Sequence, residues 1–340
     1  MRETERTDLP TRGSLDRKQF LAGAGATVGG IALFGLSACG QGASGSLKSG
    51  KNQQAVTHLD DIISPVAFHV AAQEGFFKEE KLELESIGFP GGADVIRAIQ
   101  TKMPWGLGAP IATMIAFSKQ FPDARIVGGA FNSTEIVFMV PTDSPIKRVE
   151  DLNGKKIGVS EPGSNTTYFG NLLIDKYKLD GAKIDYVGGP PDAMTAAEKG
   201  VVDVGWASAP FSTQLIKEGK ARVLVDTRDL EPNYSTVMLV SKKAVLDEDR
   251  AKVRGWVKAL AKANDIIQTD PARAGKDWAK GVNIDPAIAT KAIKDYQDAF
   301  TLKLDQRTLD SALRAGKALK QIDGEVDFNK LVDDQTKGLT

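Results

Sequence analysis

From Gln54 onward the chain alternates short apolar runs with stretches of helical period, and that alternation limits its possible folds more than any single motif does. Candidate strands fall at Val56–Leu59, Glu83–Ile87, Arg125–Gly129, Ile136–Val140, Lys156–Val159, Ile184–Val187, Val202–Trp206, Arg222–Leu224 and Val237–Ser241. Most are separated by one crossover's length of helical sequence, clearest at Ala93–Gln100, at Thr166–Tyr177 with Phe169, Leu172, Leu173 and Tyr177 on one face, and at Pro191–Lys199. This is the pattern of an α/β protein. After Asp247 the strand signals stop. Val253, Trp256, Val257, Leu260 and Ile267 form one stripe, and helical patterns continue to Lys320, so the end of the chain is expected to return as helices onto an earlier domain.

Two stretches echo one another. Lys102 to Pro110 and Lys199 to Pro210 each run from a helix through Lys and a short apolar strand to Ala-Pro and an apolar helix. Pro is at home in the first turn of a helix, where its missing N–H would be unpaired anyway. Two lobes built on one plan would give such an echo.

The N-terminus is a different kind of sequence. Arg17 and Lys18 precede a segment, Phe20 to Ala38, that carries no charge and ends in Leu36-Ser37-Ala38-Cys39. Residues 1–38 are therefore expected to be a removed signal peptide, its glycines arguing against a retained span. Asp16 to Leu21 resembles a twin-arginine motif with Lys in the second basic place, and LSAC resembles a lipobox, which makes Cys39 the expected lipidation site. Residues 39–54, rich in Gly and Ser, are expected to be a flexible tether. Gly23, Gly25 and Gly29 imitate a dinucleotide fingerprint, but the spacing is wrong and no strand precedes them.

Composition narrows the chemistry. Lys plus Arg and Asp plus Glu each number 44, so the chain is formally neutral and lacks the cationic surplus that nucleic-acid phosphates require. One Cys excludes an internal disulfide, and His58 and His69 do not have zinc-ligand spacing. No metal and no cofactor is expected. A chain this poor in His has few ways to build a general base, which favours binding over catalysis. Neither His has an evident partner in the sequence. A length of 340 residues allows two domains.

Asp151–Val159, DLNGKKIGV, with Pro141 to Ile146 before it and Glu161 to Thr166 after it, resembles the second-lobe entrance of the substrate-binding proteins of ABC importers for nitrate, sulfonates, taurine and thiamine-pyrimidine precursors. The resemblance runs in order through EGFFKEEKLELE from Glu74, the turn at Gly91, Ala109-Pro110, the DLNGKK segment and KGVVDVGWASAP to the helical tail. It implies a two-lobed, periplasmic-binding-protein-like (type II) α/β fold with a helical C-terminal return. Residues 55–138 plus 240–340 would form lobe 1 and residues 139–239 lobe 2, with hinges at Val137 to Pro141 and Thr236 to Leu239. It further implies a solute held between lobes that close by hinge bending, and permease transmembrane subunits with a cytoplasmic ATPase as partners. The expected protein is a monomer outside the cytoplasmic membrane, exported by the Tat or Sec route and held there by its lipid. It is not an enzyme on this reading. Two others stay open: an enzyme of pyrimidine or quinone precursor metabolism on the same bilobal fold, and a ligand-sensing surface lipoprotein.

Ligand contacts are expected on loops at the carboxyl ends of strands. In lobe 1 these give Ser64, Pro65, Phe68, Gly91, Gly92, Gly108, Ala109, Asn132 and Ser133; in lobe 2, Gly163, Ser164, Asn165, Thr166, Asp192, Trp206, Ser208 and Phe211. Gly91-Gly92 and Gly163 to Thr166 each precede a helix, whose free N–H groups could cradle an anion, although capping is an equal use for Ser164 to Thr166. Phe68, Trp105, Tyr168, Trp206 and Phe211 are the candidate flat walls, with Trp105 the weakest. Met103-Pro104-Trp105 stands where the family usually has a Gly-x-x-Asp turn.

Overall fold

The computed structural model describes residues 53–338 apart from Asp60, Asp61, Pro90 and Ala109. The expected signal, Cys39, most of the tether and Ala109 thus lie outside the described residues. None of the helices described is long and apolar enough to cross a membrane.

Strand β1 (Gln53–Thr57) lies between β2 (Glu85–Phe89) and β3 (Trp105–Leu107), parallel to both. The sheet continues through β10 (Val237–Lys242), antiparallel to β3 and to β4 (Ala124–Phe131), giving the order β2-β1-β3-β10-β4. Helices α1 (Val66–Gln73), α2 (Phe76–Glu79), α3 (Gly92–Thr101) and α4 (Ile111–Ser118) fill its crossovers. In the second body, β5 (Ile136–Pro141) lies between β8 (Gly205–Ser208) and β9 (Ala221–Asp226), antiparallel to both. The parallel pair β6 (Lys156–Val159) and β7 (Lys183–Tyr186) joins it through the Ile157–Val204 bridge. Helices α5 (Asn165–Tyr177), α6 (Pro190–Glu198) and α7 (Phe211–Lys217) complete this body.

The C-terminal helices are α8 (Lys243–Thr269), kinked at Asp249, then α9 (Pro271–Val282), α10 (Pro286–Asp295), α11 (Gln306–Ala318) and α12 (Phe328–Leu331). The α8 stripe is core: Val253, Trp256, Val257, Leu260 and Ile267 are buried with Phe68 and Trp278. The return also touches the first sheet, at the bridges Phe131–Phe300 and Ile126–Val332. On α5, Phe169 and Leu173 are buried, whereas Tyr177 is 37% exposed at the helix end, so it leaves the expected apolar face.

The chain changes sheets between Phe131 and Ile136, just before the first expected hinge, and again between Asp226 and Val237, a stretch that ends where the second expected hinge begins. The apolar run from Ile136 is already strand, and the polar run Asn132-Ser133-Thr134-Glu135 makes the first crossing. Hydroxyls stitch the crossings together. Thr236 Oγ1 donates to the Ser133 carbonyl at 2.7 Å, Thr227 Oγ1 donates to the Ile136 carbonyl at 2.7 Å, and Thr134 Oγ1 lies 2.9 Å from Thr227 Oγ1.

Candidate functional site

Carboxyl ends of parallel strands leave loops and helix N-termini facing outward, and here both bodies present them beside the crossings. After β1, His58 adopts a left-handed φ of 47°, Ser64 is 2% exposed, and its hydroxyl has no hydrogen-bond partner. Pro65 precedes α1 without capping it by a side chain. Gly91, in extended backbone, and Gly92 leave the start of α3 without a side-chain cap. Asp94 sits in that first turn, however, and pairs with Arg97 at 2.8 Å. A negative first turn weakens the case for an anion there.

Several expected contacts are used up by packing. Phe68 is corrected to core: its ring is buried and tilts against Trp256, with centroids 6.0 Å apart. Trp105 stacks on the same indole at 6.0 Å. Gly108 leaves no room for a side chain, since a Cβ there would come within 2.9 Å of Val240. Asn132 donates from Nδ2 to the Lys303 carbonyl but leaves its buried Oδ1 without a partner, and buried Ser133 offers its carbonyl to Thr236.

In the second body Ser164 caps α5, accepting from the Thr167 N–H at 3.2 Å. Thr166 is 3% exposed, with its hydroxyl bound between the Ser160 N–H, Ser160 Oγ and Ser164 Oγ. Asn165 Oδ1 accepts from the Tyr234 hydroxyl at 2.6 Å. The hydroxyls of the expected Ser/Asn/Thr cradle and the Asn165 Oδ1 are therefore bound within the protein, and backbone N–H groups at the start of α5 stay available to a ligand. The Gly163 carbonyl accepts from Gln321 Nε2 at 3.0 Å. Asp192 is exposed in the first turn of α6, where a carboxylate suits the helix dipole. Trp206, half-buried, donates its indole N–H to the Gly188 carbonyl at 3.1 Å. Ser208 is buried at the end of β8, and Phe211 half-buries its ring against Val137, Met139 and Leu215. Of the proposed flat walls, Trp206 and Phe211 alone keep partly open rings, since Tyr168 is buried too.

The structure adds groups that the sequence pattern does not single out. Tyr234 on the return crossing stacks on Tyr168, with centroids 5.8 Å apart, and Tyr168 donates to Glu231 at 3.2 Å. Glu231 also takes Arg314 at 2.7 Å. Burial, reinforced by neighbouring negative charge, pushes the Tyr168 and Tyr234 hydroxyls well above the ordinary tyrosine range. Glu135, on the first crossing, is 2% exposed, and one carboxyl oxygen has no partner. Burial pushes its carboxyl up to about 7, against the pull of Thr236, its own amide and the charge of His58. His58 thus has a charge neighbour, and His69 has its ring Nε2 2.8 Å from the Leu59 carbonyl, so both expectations of partnerless histidines are overturned. The signal for Glu135 is an acid directly abutting an apolar strand. Hollows of about 370 Å³ lie between α4 and the C-terminal segment, with Gln321 of its wall bonded to the Gly163 loop, and of about 520 Å³ beside Pro141 to Asp151 and Glu198 to Asp203. Among the described residues no group of three or more His, Cys, Asp or Glu is placed to hold a metal.

Two α/β bodies exchanged twice by the chain, with strand-end loops beside the crossings and a helical return, define the two-lobed type II periplasmic-binding-protein fold. Its solved neighbours agree: the periplasmic aliphatic sulphonate binding protein SsuA from Escherichia coli superposes with a TM-score of 0.67 at 18% identity, over 82% of this chain and 91% of that one. The chain belongs to the NMT1/THI5-like family, whose profile matches residues 64–274. It is 25% identical over 261 residues to the 4-amino-5-hydroxymethyl-2-methylpyrimidine phosphate synthase THI5 of Saccharomyces cerevisiae, covering 69% of this chain and 73% of that protein. It is 29% identical over 165 residues to the taurine-binding periplasmic protein of Escherichia coli, covering 47% of this chain and about half, 49%, of that relative.

Proposed function

We propose that this protein is the extracytoplasmic solute-binding component of an ABC importer, capturing a small organic solute between its two bodies. The supporting observation is the placement of loops from both sheets beside two short crossings, because a ligand touching both bodies favours the closed arrangement by its differential affinity. Lobe 1 would be the first sheet with the C-terminal helices, and lobe 2 the second sheet with α5 to α7. Contacts would come from Ser64, Gly91, Gly92 and Asn132 on one side, and from Gly163, Asn165, Trp206 and Phe211 on the other. A closed clamp would present both lobes to the permease. Cys39 would carry the lipid, so Cys39→Ser should release the protein from membranes into the soluble extracytoplasmic fraction.

The similarity to the yeast synthases favours one second reading, an enzyme on the same fold. Calorimetry on protein refolded to strip carried-over ligand, against sulfonates, aromatic acids and pyrimidines, separates the two. Stoichiometric binding without turnover supports the binding protein; turnover of a pyrimidine precursor, or no binding across the panel, sinks it.

A further inference from the structure

The Glu135 carboxyl is a buried acid that the fold leaves partly unpaired. It stands on the crossing beside the strand ends, 2% exposed, with Oε2 unpartnered. Its other contacts are thin: the Thr236 hydroxyl near it is shared with the Ser133 carbonyl, and the Tyr296 hydroxyl reaches only its backbone carbonyl, at 3.4 Å. The titratable groups facing it are His58 beyond β1, Tyr234 on the return crossing and Tyr296 after α10. Arg228 lies 4.5 Å over the Tyr296 ring but is bound by Asp226. A second buried orphan, the Ser64 hydroxyl, sits on the loop that also carries His58.

A native fold rarely leaves a buried carboxyl oxygen unpaired unless something else pairs with it. Both charge states of a carboxyl accept from an N–H, whereas an anionic ligand group beside it would be repelled by the ionised form, and the cations next to its aromatic neighbours are committed, Arg228 to Asp226 and Arg314 to Glu231. We infer that Glu135 contacts the ligand and that the solute carries an N–H donor, as an amine, an amidine or an amino-substituted ring does, and is not recognised by a sulfonate or carboxylate group alone. This rests on the cleft reading above. Because burial holds the carboxyl up to about 7, an N–H donor that favours the ionised form should bind more tightly as pH rises from 6 to 8.

The test is calorimetry on the refolded full chain with two matched pairs, 4-aminopyrimidine against pyrimidine and taurine against ethanesulfonate. The amino member of each pair should bind about tenfold more tightly, the equivalent of one charge-assisted hydrogen bond. For taurine, whose own charges do not change in this range, the preference should grow from pH 6 to pH 8, and Glu135→Gln should remove most of it. A melting curve establishes that Glu135→Gln is folded; if it is not, the wild-type pairs decide alone. Equal affinity within the pairs, or a preference for pyrimidine or ethanesulfonate, overturns the inference and leaves the cleft reading standing. Binding of none of the four also overturns it, and the wider panel then decides the cleft reading separately.

Discussion

The Tyr234 hydroxyl donates to Asn165 Oδ1 at 2.6 Å and so ties the return crossing to the first residue of α5. Tyr234 is 1% exposed and is held by Tyr168 and Phe169 on its faces and edge, so the ring stays put if the hydroxyl is removed. Tyr234→Phe should cost about 1 kcal/mol, the net value of one buried hydrogen bond. It should also free the loop before α5, seen as faster amide exchange at residues 164–167 with little change elsewhere. Uniformly faster exchange would mean that the hydroxyl supports the whole body and not the loop.

Trp256 carries much of the packing between the helical return and the first sheet. Fully buried, it stacks on Trp105, meets Phe68 and donates its indole N–H to Gln54 Oε1 at 2.6 Å. Trp256→Ala should destabilise by about 3–5 kcal/mol through the cavity it leaves, and it also strands the Gln54 oxygen. Trp256→Phe should cost less, because one aromatic ring is kept and the cavity left by the rest of the indole is smaller. Urea midpoints at unchanged slope would report both.

What the sequence makes legible here follows from the range of the physics. Strand runs and the α8 stripe are local periodicities, and Lys156–Val159 is a strand with the bounds its pattern predicts. Crossings depend on where an apolar run meets the partner sheet, so the first crossing falls at Asn132 through Glu135 and not within the apolar run itself. Among the candidate contacts, Trp206 and Phe211 keep partly exposed rings, whereas Phe68 and Gly108 are packed by Trp256 and Val240, which reach them from distant parts of the chain. Glu135 is one acid among 44 and becomes unusual only once Tyr296, Tyr234 and His58 close around it.

Across the two bodies, Lys217 on α7 meets Asp285 at the start of α10 at 2.8 Å. Both side chains are about half exposed, so the pair adds little to folding stability. Asp285 also caps α10, accepting from the Ala287 N–H, so the clean probe is Lys217. Lys217→Ala should leave the melting temperature essentially unchanged. Lys217→Glu places like charges across the gap and should favour separation of the bodies, read as a larger radius of gyration in low-salt X-ray scattering that 0.5 M salt reverses, consistent with a screening length of roughly 4 Å. No change at low salt would mean that this pair does not sense the distance between the bodies.

Glu135 also sets a pH dependence of stability. Its folded carboxyl is raised to about 7 from an ordinary 4.5 because burial disfavours the charge. The native state therefore holds a proton that the unfolded chain releases. The stability this contributes is fully present below pH 4.5 and is lost as pH rises through 7, a change bounded at about 3 kcal/mol. Asp277 acts in the same direction, raised to about 6 by burial and by the neighbouring Glu74, so the wild-type curve alone does not separate the two. Glu135→Gln does, since it leaves Asp277 on α9 untouched and removes one titration. The variant should gain on the wild type between pH 5 and pH 8, by roughly 3–8 °C in melting temperature at the size scaling of such proteins. Parallel curves for the two proteins would show that the Glu135 carboxyl is ionised, and paired, throughout that range.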